Sequence, residues 1–143
     1  MELENVRLLR ELVDHFSILA DKKDIQNQIL LFAEDATVDS YVNGALVSSL
    51  TGPKALGEGF GAFLSHFETV YHFNGQHTVS IDGNRATGTL YCLVDLIQSE
   101  DGKKIKNSSA VQYSDEYAYV NGRWLIAKRT SHFVWQDRRE IKG

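Results

Sequence analysis

Cysteine is nearly absent from this chain of 143 residues, and long apolar runs are missing. The single cysteine, Cys92, excludes an internal disulfide and any zinc site that depends on cysteine ligands. It lies in the apolar run Leu90–Val94, where a cysteine usually behaves as a small buried hydrophobe. No apolar run approaches the length of a membrane-spanning helix. Because the amino-terminal segment Met1–Asn5 also lacks the basic and apolar regions of a secretory signal, we expect a cytoplasmic protein without membrane contact.

A continuous basic surface is also missing. The net charge is -4 with histidine neutral, and the basic residues are scattered. Two small basic groups occur: Lys103, Lys104 and Lys106 at one turn, and Arg138, Arg139 and Lys142 near the end. Neither group forms a stripe with interleaved aromatic residues, so we expect no nucleic-acid partner. No HExxH motif or other ligand spacing occurs, so we expect neither a metal nor a cofactor.

The overall composition indicates one globular domain. The chain is 43% apolar and 24% charged, which is typical of soluble globular proteins. At this length one core can be well filled, but two ordinary domains cannot form. We therefore expect a single domain over residues 1–137 and a loose tail over residues 138–143.

Apolar residues at helical spacing predict three helices before the long strands begin. The first helix is interrupted at Asp21, and Asp24 can cap a second, shorter helix. Pro53 suits the first position of a third helix, which we expect from residue 51 to about residue 68. The apolar positions are Val6, Leu9, Val13, Phe16 and Ala20 in the first helix, and Ile25, Ile29, Leu30 and Phe32 in the second.

Turn signals predict six strands. Asn43-Gly44 favours a hairpin that pairs Thr37–Val42 with Ala45–Leu50. Further Asp-Gly and Asn-Gly turns separate four β-rich runs, over residues 70–81, 85–98, 105–120 and 123–135. Helices followed by an antiparallel meander predict an α+β fold, with three helices packed on a curved, mostly antiparallel sheet.

Three segments carry a family resemblance. They are residues 19–38, which contain Leu19-Ala-Asp21; Gly52–Leu56 followed by His72-Phe-Asn-Gly; and residues 115–129, which end in Lys128-Arg129. Together they resemble the nuclear transport factor 2-like cone, and more closely its SnoaL-like branch. The resemblance implies an open cone whose mouth leads to an apolar pocket. It indicates the fold more specifically than the chemistry, because this fold hosts many activities.

Within that branch, the chain is similar to cofactor-free eliminating enzymes: scytalone dehydratase, bile-acid 7α-dehydratase and hexachlorocyclohexane dehydrochlorinase. The resemblance implies that Asp21, at the end of the first helix, orients His72, on the first long strand, as a catalytic pair. It also implies that Arg129 holds an anionic or electronegative group. One position departs from the pattern. Phe16 stands five residues before the aspartate, where relatives carry a tyrosine or a lysine, so a proton donor is missing there.

The chemistry of their side chains supports a catalytic role for Asp21 and His72, but purely structural roles are also possible. A histidine suits a general base because its ordinary pKa is near 6.5, and a carboxylate on one ring nitrogen fixes the tautomer. Alternatively, Asp21 only terminates the helix, and His72 bonds a backbone carbonyl. Arg129 can also be held in a purely structural ion pair. Its candidate partners are Asp115, Glu116 and Asp95.

An aromatic pocket wall is expected. Besides Arg129, the residues predicted to contact substrate are Phe16, Phe60, Phe63, Tyr41, Tyr91 and Tyr113. The tyrosines, together with Tyr117, are candidates for the missing proton donor. His77 follows His72 by five residues, so in a regular strand the two point to opposite faces and form no metal pair.

The leading hypothesis is a cofactor-independent lyase that performs base-assisted elimination on a small hydrophobic cyclic molecule. One alternative is a non-catalytic protein that binds a small molecule or a partner. Another is a ketosteroid-isomerase-like isomerase, which is weaker because no matching trio of acidic residues is found. A scaffold subunit, like the small subunit of aromatic-ring dioxygenases, shares the fold. By resemblance we also expect a homo-oligomer, a dimer or a trimer.

Overall fold

The computed structural model describes residues 2–142, which form three helices and six strands. The helices are α1 (Glu2–Asp21), α2 (Ile25–Gln28), extended by a 3-10 turn (Ile29–Leu31), and α3 (Gly52–Leu64). The strands are β1 (Phe32–Val42), β2 (Ala45–Thr51), β3 (Thr69–Asp82), β4 (Arg85–Glu100), β5 (Lys103–Val120) and β6 (Arg123–Ile141). The predicted α+β fold is therefore confirmed, with helices packed on an open sheet.

The helices follow the apolar pattern, with two corrections at their ends. α1 buries the predicted face except for Val6, which is exposed. Asp24 caps α2 as expected, because its carboxylate accepts a hydrogen bond from the backbone N–H of Asn27. The prediction that Phe32 belongs to this helix is wrong. Phe32 starts β1, and its ring packs against Phe16 and Phe60 between the helices and the sheet. α3 is also shorter than predicted and ends at Leu64.

One sheet contains all six strands in the order β2-β1-β6-β5-β4-β3. β1 and β6 run parallel, and every other neighbouring pair is antiparallel. Asn43 and Gly44 both have positive φ, 52° and 77°, as the tight β1–β2 turn requires. The parallel pair closes the meander onto the first hairpin, which sets α3 over β1 and β2 and α1 over β3.

A bulge in β3 overturns one expectation about side-chain direction. Val70, His72 and Asn74 face the helices, and the register then shifts between Asn74 and His77. Residues 75 and 76 of β3 together lie opposite the single residue Tyr91 of β4, so one extra residue is inserted and His77 faces the same side as His72 rather than the opposite side. The bulge is held from α1, because the Arg10 Nη1 donates to the carbonyl oxygen of Gly75 at 3.0 Å.

The loose tail predicted over residues 138–143 is also wrong for its described part. β6 continues to Ile141, where it pairs with Lys104 of β5. The strand extends because β5 begins at Lys103 and so offers backbone partners beyond the core. Gly143, the last residue of the predicted tail, lies outside the described residues.

The two faces of the sheet differ in what covers them. The core lies between the helices and one face. On the other face, an apolar row crosses four neighbouring strands, because the register aligns Phe73 with Leu93, Leu93 with Ala110, and Ala110 with Trp135. Phe73, Leu93 and Trp135 are all exposed. Within residues 2–142, no helix is both long enough and apolar enough to cross a membrane.

Candidate functional site

A cavity of about 460 Å³ lies between the helices and the inner face of the sheet. Its wall is mainly apolar, as a pocket for a small hydrophobic molecule requires. The apolar wall includes Phe16, Phe60, Phe63 and Phe67 from the helices, and Val94, Leu96, Val111 and Phe133 from the strands. The polar groups in the wall include His72, Arg129, Gln28, Tyr113, Ser109 and Ser131.

Asp21 and His72 meet at the edge of this cavity. The Asp21 carboxylate accepts a hydrogen bond from His72 Nδ1 at 2.7 Å and from the His72 backbone N–H at 3.0 and 3.2 Å. The two elements are aligned by a second contact, in which Asn74 of β3 donates to the carbonyl oxygen of Val13 and to the Asp14 carboxylate. The end of α1 and the start of β3 are thus held together, and the contact expected between Asp21 and His72 is present.

This geometry fixes the chemistry of the imidazole. With Nδ1–H donating to the carboxylate, the neutral ring carries its free lone pair on Nε2. His72 lines the cavity, and its Nε2 has no hydrogen-bond partner within residues 2–142. The His72 side chain is only 9% exposed, while Asp21 lies behind it and is not part of the cavity wall. When the ring is neutral, Nε2 is therefore the nitrogen that can accept a proton from a molecule in the cavity.

Arg129 is held from behind by a buried carboxylate. Its Nε donates to Asp115 Oδ1 at 2.8 Å, and its Nη2 donates to Asp115 Oδ2 at 2.9 Å. Asp115, rather than Glu116 or Asp95, is therefore the ion-pair partner of Arg129. Burial opposes the charge of Arg129, but the adjacent Asp115 outweighs it, so the pKa of the guanidinium is raised above its ordinary value. Asp95 does not line the cavity and instead accepts a hydrogen bond from Ser108.

Two aromatic rings cover the flat guanidinium. Its central carbon lies 4.4 Å from the centroid of the Phe16 ring and 4.0 Å from that of Tyr113. A buried cation over the faces of aromatic rings gains cation–π attraction. This contact gives a physical role to Phe16, at the position where the resemblance leads us to expect a tyrosine or lysine. The remaining nitrogen, Nη1, is buried without a hydrogen-bond partner in the described part of the chain.

A hydrogen-bond network extends from Arg129 away from the cavity. Tyr117 donates from its hydroxyl to Asp115 Oδ2 at 2.7 Å, and His77 Nε2 lies 3.0 Å from the same hydroxyl. Because the hydroxyl hydrogen is committed to Asp115, the His77 nitrogen is the donor to Tyr117. Burial raises the pKa of Tyr117 and lowers the pKa of His77, so both stay neutral near pH 7. Gly88 leaves room for the Tyr117 ring, since a Cβ there would lie 2.8 Å from it.

The structure brings most of the predicted contact residues together, with two corrections. Phe16, Phe60, Phe63, Tyr113 and Arg129 all line the cavity. Tyr41 and Tyr91 do not. Ser40 and Val42 face the cavity, so strand alternation turns Tyr41 to the other face, where it stacks on His132. Leu90 and Cys92 are buried, which by the same alternation leaves Tyr91 exposed.

Sequence reasoning missed Gln28, and it named Asp115 and Tyr117 without their joint role beside Arg129. Gln28 is 1% exposed and lines the cavity, although it sits in a four-residue helix whose pattern marks no inward position for it. Asp115 and Tyr117 form the buried support of Arg129. The sequence did indicate the direction of Asp115. It lies two residues from each of two inward-facing tyrosines, Tyr113 and Tyr117, and strand alternation places all three side chains on one face.

No metal-binding cluster of three or more histidine, cysteine, aspartate or glutamate side chains occurs among residues 2–142. Cys92 does not add a reactive group, because burial raises the pKa of its thiol to about 11. The chemical groups that remain are a histidine paired with a carboxylate, a buried arginine and a tyrosine. Such a set can move a proton and stabilise negative charge.

Solved structures of known proteins are similar to this fold. A protein provisionally called a scytalone dehydratase, from Novosphingobium aromaticivorans, aligns with a TM-score of 0.83 at 18% identity over 99% of this chain and 92% of its own. The hexachlorocyclohexane dehydrochlorinase LinA-type3 from Novosphingobium barchaimii aligns with a TM-score of 0.79 at 17% identity, over 99% of this chain and 93% of its own. At these identities the likeness shows a shared fold.

A third structure has the same architecture. It is an NTF2-like protein with a cystatin-like fold from Novosphingobium aromaticivorans, with a TM-score of 0.70 at 23% identity over 92% of this chain and 83% of its own. No curated protein matches the sequence. The model of the SnoaL-like domain matches residues 1–130, nearly the whole chain. The chain therefore belongs to the SnoaL-like domain family, with the nuclear transport factor 2-like fold.

Proposed function

We propose that this protein is a cofactor-independent lyase that eliminates a leaving group from a small hydrophobic cyclic molecule. The observation that carries the proposal is the 2.7 Å hydrogen bond between Asp21 and His72 Nδ1, which leaves Nε2 free at the wall of an apolar cavity. A base with a carboxylate behind it, in a mainly apolar cavity, suits removal of a carbon-bound proton.

His72, Asp21 and Arg129 each have one role in the proposed elimination. His72 Nε2 takes the proton from a carbon next to a carbonyl, and Asp21 stabilises the imidazolium that forms. The electron pair of the broken C–H bond becomes the new C=C bond, and the leaving group departs with the electrons of its own bond to carbon. Arg129 donates from Nη1 to the oxygen on which negative charge develops, because its other two donor nitrogens are already bound to Asp115.

Tyr113 is the candidate proton donor to a departing hydroxyl group. It lines the cavity and stacks on Arg129, while Tyr41 and Tyr91 face away. Burial raises the pKa of the Tyr113 phenol, so the group is protonated near neutral pH, and the adjacent Arg129 would stabilise the phenolate that donation leaves. In this proposal Tyr113 replaces the donor that is missing at Phe16.

Similar proteins support the reaction class. Two of the solved structures with this fold are named for a dehydratase and a dehydrochlorinase, both of which are eliminating enzymes. An isomerase of the ketosteroid type is not favoured, because no aspartate or glutamate of residues 2–142 lines the cavity.

Replacing His72 tests the proposal. A panel of cyclic β-hydroxy ketones is incubated with the protein, and formation of the conjugated enone is followed by ultraviolet absorbance. We expect turnover by the wild type and a loss of about 100-fold or more in His72→Ala, since a positioned general base contributes about that much. His66→Ala, an exposed helix-end histidine, is the matched control and keeps full activity. Turnover that persists in a folded His72→Ala protein would contradict the proposed lyase activity.

A non-catalytic binding protein is the second candidate, and Phe16 favours it. Its ring packs on Arg129 where eliminating relatives are expected to carry a reactive side chain. Turnover by Asp21→Asn separates the two functions. In the lyase, loss of the carboxylate behind His72 lowers the turnover of the panel. In a binding protein, no member of the panel is converted although the cavity still takes up ligands.

A further inference from the structure

Two buried polar atoms of the described chain have no hydrogen-bond partner, and both belong to residues that line the cavity. They are Arg129 Nη1, a donor, and Gln28 Oε1, an acceptor. Each of these residues is 1% exposed. Native proteins rarely leave a buried polar atom unpaired, so two such atoms of opposite character in one cavity wall point to a ligand that pairs with both.

The orientation of the Gln28 amide is fixed by its neighbour. Its Nε2 donates to the backbone carbonyl oxygen of Phe16 at 3.4 Å. Turning the amide over would set two oxygen atoms against each other, so the group directed away from Phe16 is the acceptor Oε1. Asp24 caps the short helix that carries Gln28, which holds the backbone in place. Gln28 therefore offers an acceptor that the protein itself does not use.

Gln28 and Arg129 lie at the same part of the cavity, because both contact Phe16. Gln28 is bound to the backbone of Phe16, and Arg129 is covered by its ring. One small molecule in a cavity of about 460 Å³ can reach both residues. His72 lines the same cavity with Asp21 behind it, so one ligand can carry both the carbon that reacts and the groups that Gln28 and Arg129 recognise.

We propose that Gln28 determines specificity, and that the ligand carries a hydroxyl or N–H donor for Gln28 Oε1 beside a carbonyl or other acceptor for Arg129 Nη1. This inference rests on the proposed elimination and deepens it, since it selects hydroxylated cyclic ketones over fully halogenated rings. A halogenated ring without a hydroxyl group offers nothing to an acceptor. A site built around a buried acceptor discriminates against analogues that leave it unpaired.

Binding of matched ligand pairs tests this specificity. Dissociation constants are measured by calorimetry for a set of hydroxytetralones, their O-methyl ethers and the unsubstituted tetralone. His72→Asn protein is used, so that no ligand is consumed. We expect at least one hydroxytetralone to bind about 10-fold more tightly than its ether, which corresponds to one buried hydrogen bond. In Gln28→Met on the same background, that preference falls below about 2-fold, while tetralone itself binds as before.

Two further variants complete the design. Gln136→Met changes an exposed glutamine at the same cavity and keeps the preference. Gln28→Ala also removes the acceptor and should lower the preference below about 2-fold, which keeps the test valid if Gln28→Met fails to fold. The proposal is overturned if no hydroxytetralone binds, if hydroxyl and ether ligands bind wild-type Gln28 equally, or if the preference persists in Gln28→Met.

The binding test of Gln28 and the activity test of the proposed lyase can fail separately. A preference that depends on Gln28, in a protein that converts no β-hydroxy ketone, would overturn elimination and support the recognition of a donor. Elimination without any such preference would overturn the role of Gln28 alone.

Discussion

At the scale of single residues, the buried charge of Arg129 sets the character of the site. Asp115 pairs with two of its nitrogens, and the rings of Phe16 and Tyr113 both lie against the guanidinium. Burying an isolated cation is very costly, so this enclosure needs the carboxylate. The same enclosure buries Nη1, so an interaction with a ligand there would be stronger than in water.

Removing the partner of Arg129 should destabilise the fold. In Asp115→Asn the guanidinium stays buried without its counter-charge, so we expect the free energy of unfolding to fall by about 3–5 kcal/mol. Chemical denaturation measures this change. Glu116→Gln alters the neighbouring carboxylate, which points outward, and should change stability by less than about 0.5 kcal/mol. A loss below about 1 kcal/mol in Asp115→Asn would show that the ion pair contributes little.

His77 should make stability depend on pH. Burial lowers its pKa from the ordinary 6.5; the charges of Asp115 and Asp14 raise that pKa, and those of Arg10 and Arg129 lower it further. As pH falls through 6.5, the unfolded chain therefore binds a proton before the folded protein does. The stability linked to neutral His77 is complete above that pH and decreases toward the lower folded pKa.

The check is the free energy of unfolding of wild type and His77→Gln between about pH 8 and pH 5. Glutamine keeps a donor for Tyr117 but does not titrate, so its stability should fall less steeply on acidification. Parallel curves for the two proteins would contradict the assignment. The exposed His66, replaced in the same way, should leave the curve unchanged.

At the scale of elements, β3 and β4 decide which groups reach the helices. The bulge after Asn74 turns His77 inward, and Arg10 of α1 binds the carbonyl oxygen of Gly75 within it. Across the pair, Gly88 of β4 leaves the space into which the Tyr117 ring fits. The bulge in β3 and the small residue Gly88 in β4 thus position His77 and Tyr117 to form a hydrogen bond. The alternation pattern of either strand alone does not predict this contact.

Filling the space at Gly88 should displace Tyr117. A Cβ at this position would lie 2.8 Å from a ring carbon and 2.9 Å from the hydroxyl oxygen of Tyr117. We expect Gly88→Ala to lower stability by about 1–3 kcal/mol, because the ring and strand must shift apart. Thermal unfolding provides the measurement. Thr87→Ala, at the exposed neighbouring position, is the control, and equal effects of the two variants would contradict steric displacement.

At the scale of the whole molecule, one sheet face is covered by helices and the other is not. The apolar row that includes Phe73, Leu93 and Trp135 lies on the uncovered face. Contiguous exposed apolar surface commonly marks a protein–protein interface. We propose that this face joins copies of the chain in the homo-oligomer that the family resemblance implies.

Light scattering coupled to size exclusion tests this assembly. We expect a dimer or trimer for the wild type and a monomer for Phe73→Glu or Leu93→Glu, since a buried carboxylate at the row would be unpaired. Leu3→Glu, which adds the same charge at an exposed position of α1, should leave the assembly intact. A monomeric wild type would rule out the interface.

Local signals in the sequence account for most of the elements. Asn43-Gly44 adopts the positive φ values that its hairpin requires, Asp24 caps its helix, and the helical spacing marks the buried face of α1. These predictions succeed because turn, cap and amphipathic patterns act over a few residues. The boundary at Phe32 was missed because its ring is drawn into a cluster with Phe16 and Phe60, a contact across distant parts of the chain.

By itself, the sequence determined the element types, the family and the positions of Asp21 and His72, because these depend on local patterns and on matched motifs. Only the tertiary structure decided which side chains reach the cavity. A bulge reverses the direction of His77, strand register selects Asp115 for Arg129, and a short helix turns Gln28 inward. Each of these choices depends on contacts between residues far apart in sequence, so tertiary packing, rather than local preference, sets the chemistry of the cavity wall.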